Sequence, residues 1–598
     1  MHIIQLLRYN KEKIKEGFSH MIKIKKYLEN GIKQIKQNKW IHYLLIAIIG
    51  IILSIPFLNL VQIRDSHDGS LHMLRLIGTV DTLKIGQFPP LINQNYCNGA
   101  GYSMNLFYPP LVTYLPLLIK LFTQTYMGAL KIFAVIAIVL SGITMYQFVY
   151  QVTGKRAIAF FSAVFYMIAP YKLANVYKRY AIGEFVGMVF IPIVFLGLYN
   201  LFEQDRKKHY YIAIGATCLM LSHSVTTVYT AIFCILYILF HIKALKDKEI
   251  LKKCIINGIF VLLISMLFWM PLLEATTSAE YTIMNDEVMR TNKEFAFANT
   301  LSYLQLVKDI GEENGTTFVL GIPTILLFFL TIVVATKVDK KYQEFYLLSV
   351  IFALISLFMV GRFFPWITMP NFLCKLQYPW RMLGFFIFFA SIVCGSNLYY
   401  VIKKISKKQS IEILISLLIM VISISASMKI MSQFYTTDKQ KDIEYETYIK
   451  ENIKISHRQI NRDYMPLRAL LLQHTYVLNR KEVTYILEGK ADIEEERKEN
   501  LKDEISIKQA RKDTILEFPY YYYPGYEITL ETEGKIEKIT AIESQNGYLS
   551  CKLPKEITQG TIKVEYVGTI ITTISYIVSA ISLIGFIIYI QYEKKKNK

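Results

Sequence analysis

The residues best suited to chemistry stand in one stretch, Arg64 to Pro110, RDSHDGSLHMLRLIGTVDTLKIGQFPPLINQNYCNGAGYSMNLFYPP. It holds His67 and His72, Asp65, Asp68 and Asp81, and Arg64 and Arg75, directly behind the first strongly apolar run. The spacing predicts a helix over 68–85. In it Asp68, His72 and Arg75 fall at i, i+4 and i+7, and Asp65 lies one turn earlier, so all four share a face. Leu71, Leu74, Ile77 and Leu83 fill the neighbouring face. Such a helix is expected to lie along a bilayer surface with its acid and base groups turned to a cavity. A carboxylate there can take a proton from a hydroxyl or, as Asp65 or Asp68, hold a divalent cation such as Mg or Mn. An imidazole can orient that carboxylate, and a guanidinium can hold an anion. The competing reading is a polar face that only keeps the helix in the interface, but Lys and Arg usually dominate such faces. Gly99-Ala100-Gly101 and Tyr108-Pro109-Pro110 then predict a turn back toward the membrane.

Three further polar groups stand between apolar runs. Tyr177-Lys178-Arg179-Tyr180 precedes Glu184, which opens an apolar run. An ionisable group at that depth faces a cavity or a partner, with Lys178 or Arg179 the near candidate; a structural ion pair at the end of a span is the alternative. His223, in Leu221-Ser222-His223-Ser224, marks a tight turn where it can bond a sugar or cap a helix. Arg381 follows Pro379-Trp380 at the start of another run, with Gln377 one turn earlier. Arginine's planar fork suits a phosphate diester, and anchoring by snorkelling to the headgroups leaves the same pattern.

The elements that must position these groups are membrane helices. In 598 residues, 53% hydrophobic, many runs exceed the ~18 apolar residues that signal a span. Twelve are read, at about 42–62, 127–150, 157–175, 185–202, 211–222, 226–242, 254–273, 317–336, 344–361, 381–401, 411–430 and 569–591. Segment 106–122, broken by Pro109, Pro110 and Pro116, reads as an interfacial or re-entrant helix. The net charge of +20 sits in short clusters between runs, at Lys155-Arg156, Arg206 to Lys208, Lys243 to Lys253, Lys337 to Lys341, Lys403 to Lys408 and Lys594 to Lys598. This is the positive-inside pattern rather than a nucleic-acid surface. Both termini are then expected in the cytoplasm, and the polar groups above all reach the outer side. Residues 1–41 read as a basic amphipathic segment on the cytoplasmic leaflet. A cleavable signal peptide is not expected, because the following apolar run is long and lacks a small-residue cleavage site.

The expected organisation is mainly α, a polytopic membrane core over 42–430 with an outer loop 63–126. An extracytoplasmic β-rich domain follows over 431–568, then a last span and basic tail over 569–598. Within the β-rich part a helical stretch near 438–480 precedes strands near 484–487, 514–518, 526–530, 536–542 and 561–566, separated by Pro-Gly, Glu-Gly, Asn-Gly and Gln-Gly turns. Tyr520 to Tyr523 are read as packing the sheet or sitting at headgroup level, with sugar stacking as the alternative. The cysteines are scattered without metal or disulfide spacing, and no Walker loop, Gly-x-Ser-x-Gly elbow or His-Glu-x-x-His is present.

One further pattern is carried by Asp68-Gly-x-x-His72-x-x-Arg75-x-Ile77, Gly86-x-x-Pro89-Pro90, Gly99-x-Gly101-Tyr102 and Phe107-Tyr108-Pro109-Pro110-Leu111. It resembles the bacterial membrane family labelled 6-pyruvoyl-tetrahydropterin synthase-related, although nothing here resembles the soluble pterin enzyme. That family is similar in layout to YfhO-like proteins and to the GT-C glycosyltransferases. The resemblance implies transfer of a sugar from a polyprenyl-phosphate donor to an envelope glycan or lipid acceptor outside the cytoplasmic membrane, in contact with membrane lipids. Under it Asp68 is the base, Asp65 its rival and His72 the orienting group. Arg75, Lys178, Arg179, Gln377 and Arg381 take the lipid phosphate, and His67, Tyr102, Tyr108, Glu184 and His223 meet substrate. The Asp-x-x-Asp-Gly spacing departs from Asp-x-Asp, which leaves a divalent cation as a possibility and no cofactor certain. A lipid-linked sugar flippase and a non-catalytic assembly factor are the alternatives.

Overall fold

The computed structural model describes residues 38–204, 206–308, 317–375, 377–406, 408–436, 441–451 and 462–596. The expected amphipathic segment 1–41 therefore lies almost wholly outside the described residues. Each of the twelve apolar segments is helical over most of its described length, with breaks, as at Ala169 and Ser265, and a non-helical start at 317–321. Among the described residues, seven helices are long and apolar enough to cross a membrane: Lys39–Leu60, Tyr126–Thr153, Ile182–Glu203, Lys340–Val360, Pro379–Ile405, Gln409–Phe434 and Ile570–Lys596. Two bent pairs raise this to nine, Arg156–Ile168 with Pro170–Tyr177 at 45° and Lys248–Ile264 with Met266–Ser278 at 66°. Tyr211–Met220, Ser224–Phe240 and Ile322–Lys337 are shorter apolar helices.

Local chemistry explains the ends and breaks. Asn38 Oδ1 accepts from Trp40 N at 2.9 Å and starts Lys39–Leu60, and Thr125 Oγ1 accepts from Gly128 N at 2.9 Å to start Tyr126–Thr153. That helix stops at Gly154, whose φ of +67° takes the left-handed cap. The 45° bend falls where Pro170 follows Ala169, since proline lacks the N–H that a continuing helix needs. Ile182–Glu203 and Pro379–Ile405 are the most deeply buried spans. Phe195, Phe388 and Phe389 meet between them with ring centroids 4.8–5.3 Å apart.

The predicted helix over 68–85 is observed as Gly69–Lys84, with Asp68 at its N-cap position. It is not a surface helix. His72 to Thr79 are buried, because the loop that follows folds back over it. A Cβ at Gly78 would meet Tyr96 and Asn93 side chains at 2.6 and 2.7 Å, so loop and helix touch there. The loop is closed by backbone pairing of Asn93 with Tyr102.

The C-terminal domain holds nine strands: β1 (Tyr485–Glu488), β2 (Asp492–Glu499), β3 (Lys502–Ala510), β4 (Ile515–Tyr521), β5 (Tyr526–Thr532), β6 (Lys535–Ile539), β7 (Ile542–Glu543), β8 (Tyr548–Lys552) and β9 (Ile557–Tyr566). They form two antiparallel sheets, β1-β4-β8-β7 and β2-β3-β9-β5-β6. Alternation buries Ile505 and Ile507 of β3 against Ile562 and Val564 of β9. Tyr520, Tyr521 and Tyr523 are buried, so they pack the domain. The helical expectation over 438–480 is met only in pieces. Lys441–Glu451, Leu467–Leu471 and, as a π-helix, Gln473–Val477 are helical, and residues 438–440 and 452–461 lie outside the described ones. Residues 462–466 are a non-helical strap that opens on a turn, Met465 N donating to Arg462 O at 3.3 Å. The domain sits on the first loop: Tyr521 N donates to Ala100 O at 2.9 Å and Lys498 Nζ to Gly99 O at 3.1 Å.

Candidate functional site

The polar groups from four separate stretches converge on one cavity of about 900 Å³. Backbone bonds set the first convergence. His67 N donates to Lys178 O at 3.1 Å and Asp68 N to Arg179 O at 3.0 Å, so the two loops are tied edge to edge. Asp68 follows that tie and ends at the N-terminus of Gly69–Lys84. Its carboxylate makes no capping bond there, which leaves it turned to the cavity it lines. Burial raises its pKa, with Arg179 and then Arg381 opposing the rise.

Glu184 is the charge hub. It is 3% exposed and accepts from Arg179 Nη1 at 2.9 Å, from Asn175 Nδ2 at 3.1 Å and from the Tyr171 hydroxyl. Arg381 Nε stands 3.8 Å from the same carboxylate. Two guanidiniums therefore share one carboxylate and leave a net positive charge on the cavity wall. Burial alone would disfavour the charge on Arg179, but Glu184 overrides it and holds this arginine protonated beyond its ordinary range. Trp380 supports both: Arg179 lies 4.4 Å and Arg381 6.0 Å from its ring centre.

Two histidines face the same space. His72 is 3% exposed, and its Nδ1 has no hydrogen-bond partner among the described residues. Burial, then Arg75 and His223, lowers its pKa to about 3, so it is a neutral imidazole. His223 caps Ser224–Phe240 by accepting from Thr226 N at 3.2 Å, the helix-end role weighed for it, and also lines the cavity. Burial takes its pKa to about 3 as well.

Of the residues singled out from sequence, His67, Asp68, His72, Tyr108, Arg179, Glu184, His223, Gln377 and Arg381 line the cavity. Four do not. Arg75 is buried and donates to Asn105 Oδ1 at 2.8 Å, Tyr108 O at 2.8 Å and Pro109 O at 3.0 Å. Pro109 and Pro110 leave this turn short of N–H donors, and the guanidinium supplies them. The helical wheel put Arg75 on the face of Asp68, but its long side chain serves the Tyr108–Pro109 backbone. Tyr102 is fully buried, and its hydroxyl accepts from Tyr464 N at 3.2 Å. Asp65 is exposed and outside the cavity lining, and Lys178 reaches back to Asp65 O at 3.5 Å. Asp68 is thus left without Asp65 beside it, and its closest opposing charges are guanidiniums. Among the described residues no group of three His, Cys, Asp or Glu side chains could hold a metal ion.

The cavity also holds residues that sequence reasoning missed. Arg290 and Lys375 stand on connections between helices, Phe107 and Phe318 are apolar lining, and Asp463 and Tyr464 come from the strap before the β domain. Burial, then the charge on Asp68, raises Asp463 to about 6. The available signal was Asp463-Tyr464-Met465-Pro466, where a proline interrupts a stretch otherwise read as helix.

Comparison with known proteins places the chain. An uncharacterized protein of Lactococcus lactis subsp. cremoris is 25% identical over 353 residues, 56% of either chain. Among solved structures, the archaeal oligosaccharyltransferase AglB from Archaeoglobus fulgidus, in complex with an inhibitory peptide and a dolichol-phosphate, matches 69% of this chain and 58% of its own. The identity is 13% and the TM-score 0.38. The arabinofuranosyltransferase AftD from Mycobacteria matches 66% of this chain and 26% of its own at 12% identity, with a TM-score of 0.43. The chain thus spans between a quarter and three fifths of the proteins it matches. The family model described as 6-pyruvoyl-tetrahydropterin synthase related domain, membrane protein, covers residues 106–434, more than half of the chain, and the chain belongs to that family.

Proposed function

We propose that this chain is a membrane glycosyltransferase that takes a sugar from a polyprenyl-phosphate donor and passes it to a hydroxyl of an envelope glycan or lipid, on the outer side of the cytoplasmic membrane. The observation that carries the reading is the juxtaposition, in one cavity, of an uncapped carboxylate, Asp68, with a wall of two guanidiniums on one carboxylate. Asp68 accepts the proton of the acceptor hydroxyl as that oxygen bonds to the anomeric carbon. The bond from that carbon to the phosphate oxygen breaks, and polyprenyl phosphate leaves with the electron pair. Arg381, assisted by Arg179, faces the departing phosphate with charge already in place. His72, a neutral imidazole, lines the same cavity beside Asp68. No step needs Asp65 or a divalent cation.

The same reading assigns the ends of the molecule. Residues 42–430 form the membrane core, with 63–126 and 431–568 outside; 1–41, the last helix's tail and both termini belong to the cytoplasm. Membrane lipid and the lipid-linked sugar are the partners, and the donor phosphate enters from the bilayer plane.

The test is a deletion strain complemented with the wild type or with Asp68→Asn, read by compositional analysis of envelope glycans and teichoic acids. Asp68→Asn keeps size while removing basicity, so transfer should fall ~10²- to 10⁴-fold with normal protein levels. Full restoration of the missing sugar by Asp68→Asn would reject catalysis by this residue and leave a transport or assembly role.

A further inference from the structure

Most of the cavity wall comes from membrane helices and their connections. One part comes from the strap 462–467, which leads into the β domain, and this strap is clamped on both sides. Tyr464 N donates to the Tyr102 hydroxyl at 3.2 Å, and Tyr464 O accepts from the Tyr523 hydroxyl at 2.9 Å. Thr282 N donates to Met465 O and Leu467 N to Glu280 O, both at 2.9 Å. Core, outer loop and β domain therefore all fix the backbone that carries Asp463. A side chain held this way, and lining the same cavity as Asp68, is placed for recognition rather than left there by a loose loop.

We propose that Asp463 is the acceptor-binding carboxylate of this site, standing across from Asp68, and that the two together select an uncharged, hydroxyl-bearing sugar as acceptor. The inference rests on the transferase reading above and deepens it. Charge is unevenly spread over the cavity. Arg179 and Arg381 hold the side marked by Glu184, where a donor phosphate fits. Asp463 and Asp68 are close enough that the charge of one raises the pKa of the other. Two hydroxyls of one sugar can each donate to one of these carboxylates, whereas an anionic acceptor would add a third negative charge between them. Tyr464 and Phe107, stacked on each other with parallel rings 5.5 Å apart, make the lining at this end rigid and aromatic. From the first loop the cavity also presents His67 and His72, and from its other walls His223, Arg290 and Lys375. Asp68 is the charged group that shifts Asp463.

The test uses the full chain in lipid nanodiscs and in the deletion strain. Infrared titration of the wild type should show a protonated carboxyl band with its midpoint near the raised value of about 6. That band should vanish in Asp463→Asn, and its midpoint should fall in Asp68→Asn, which removes the opposing charge. With decaprenyl phosphate as probe, Asp463→Asn should bind within about twofold of the wild type while envelope sugar transfer falls at least ~10-fold and Asp463→Glu restores part of it. Activity should rise with pH through the Asp463 midpoint, because the ionised form accepts the acceptor's hydroxyl. Normal transfer by Asp463→Asn would overturn the proposal, and so would loss of decaprenyl phosphate binding, which would put Asp463 in donor binding or in the fold. If deleting the chain leaves the envelope sugars unchanged, the transferase reading falls by itself. The infrared midpoint then decides the pairing alone, and no movement in Asp68→Asn would reject it.

Discussion

Buried Arg75 and half-buried Arg381 serve opposite ends, and their partners tell them apart. Arg381 stands on the cavity beside a carboxylate it shares with Arg179. Arg75 spends its Nε and Nη2 donors on Asn105 and on the carbonyls of Tyr108 and Pro109. Arg75→Gln would strand those buried acceptors, each costing ~1–3 kcal/mol. We expect a clear loss of thermal stability with decaprenyl phosphate affinity unchanged in the folded fraction. Arg381→Gln should do the reverse, weakening decaprenyl phosphate by ~1.5–3 kcal/mol with little change in melting. Thermal unfolding and native mass spectrometry on the two purified variants decide it, and equal loss of lipid binding in both would return Arg75 to the phosphate site. Residue types and spacing were enough to bring Asp68 and His72 to the cavity, because both positions follow from helical period. They were not enough for Arg75, whose long side chain answers to unpaired carbonyls more than thirty residues away, nor for Asp463, whose partner Asp68 lies far back in the chain.

At the scale of elements, the site depends on how closely three of them approach. Gly183, the second residue of Ile182–Glu203, is where the turn at Ser222-His223 and the Tyr108 segment come nearest. A Cβ there would meet the Tyr108 hydroxyl at 2.7 Å, His223 Cδ2 at 2.8 Å and Ser222 O at 2.9 Å. Gly183→Ala should therefore push the elements apart, at a cost of ~1–3 kcal/mol, and misplace Tyr108, His223 and the adjacent Glu184. Gly187→Ala is the comparison, since the atoms nearest its Cβ would be those of the Leu219 and Thr226 side chains, at 3.1 Å and beyond. Melting temperature and sugar transfer should both drop in the first and change little in the second; parity between them would remove close approach as the reason for glycine. Apolar runs made the membrane helices easy to read, whereas strands β2, β3 and β8 escaped. DIEEERKE and KDEISIKQA are dominated by charge, and the buried pair Ile505 and Ile507 is the only trace of alternation. Charged edge strands resist pairing with other chains, which is the reason such composition suits β2 at the end of its sheet.

For the whole molecule, cavity, first loop and β domain lie at one end, because the β domain bonds directly to Gly99 and Ala100 and its strap supplies Asp463. The helix Leu383–Ile405 starts beside Arg381 and runs 23 residues to the lysine pair Lys403 and Lys404. At 1.5 Å per residue that carries the pair about 33 Å from the cavity, the depth of a hydrocarbon core. If the lysine clusters mark the cytoplasm, as the positive-inside rule requires, then cavity and β domain share the outside. The prediction is checked by single cysteines at two exposed positions, Lys535 in β6 and Lys404 at the far helix end. A membrane-impermeant maleimide should label Lys535→Cys in intact cells and Lys404→Cys only after lysis. The reverse labelling pattern would put Asp68, Arg381 and Asp463 on the cytoplasmic side, where a soluble nucleotide-activated sugar could reach them and an outward-facing lipid-linked donor could not.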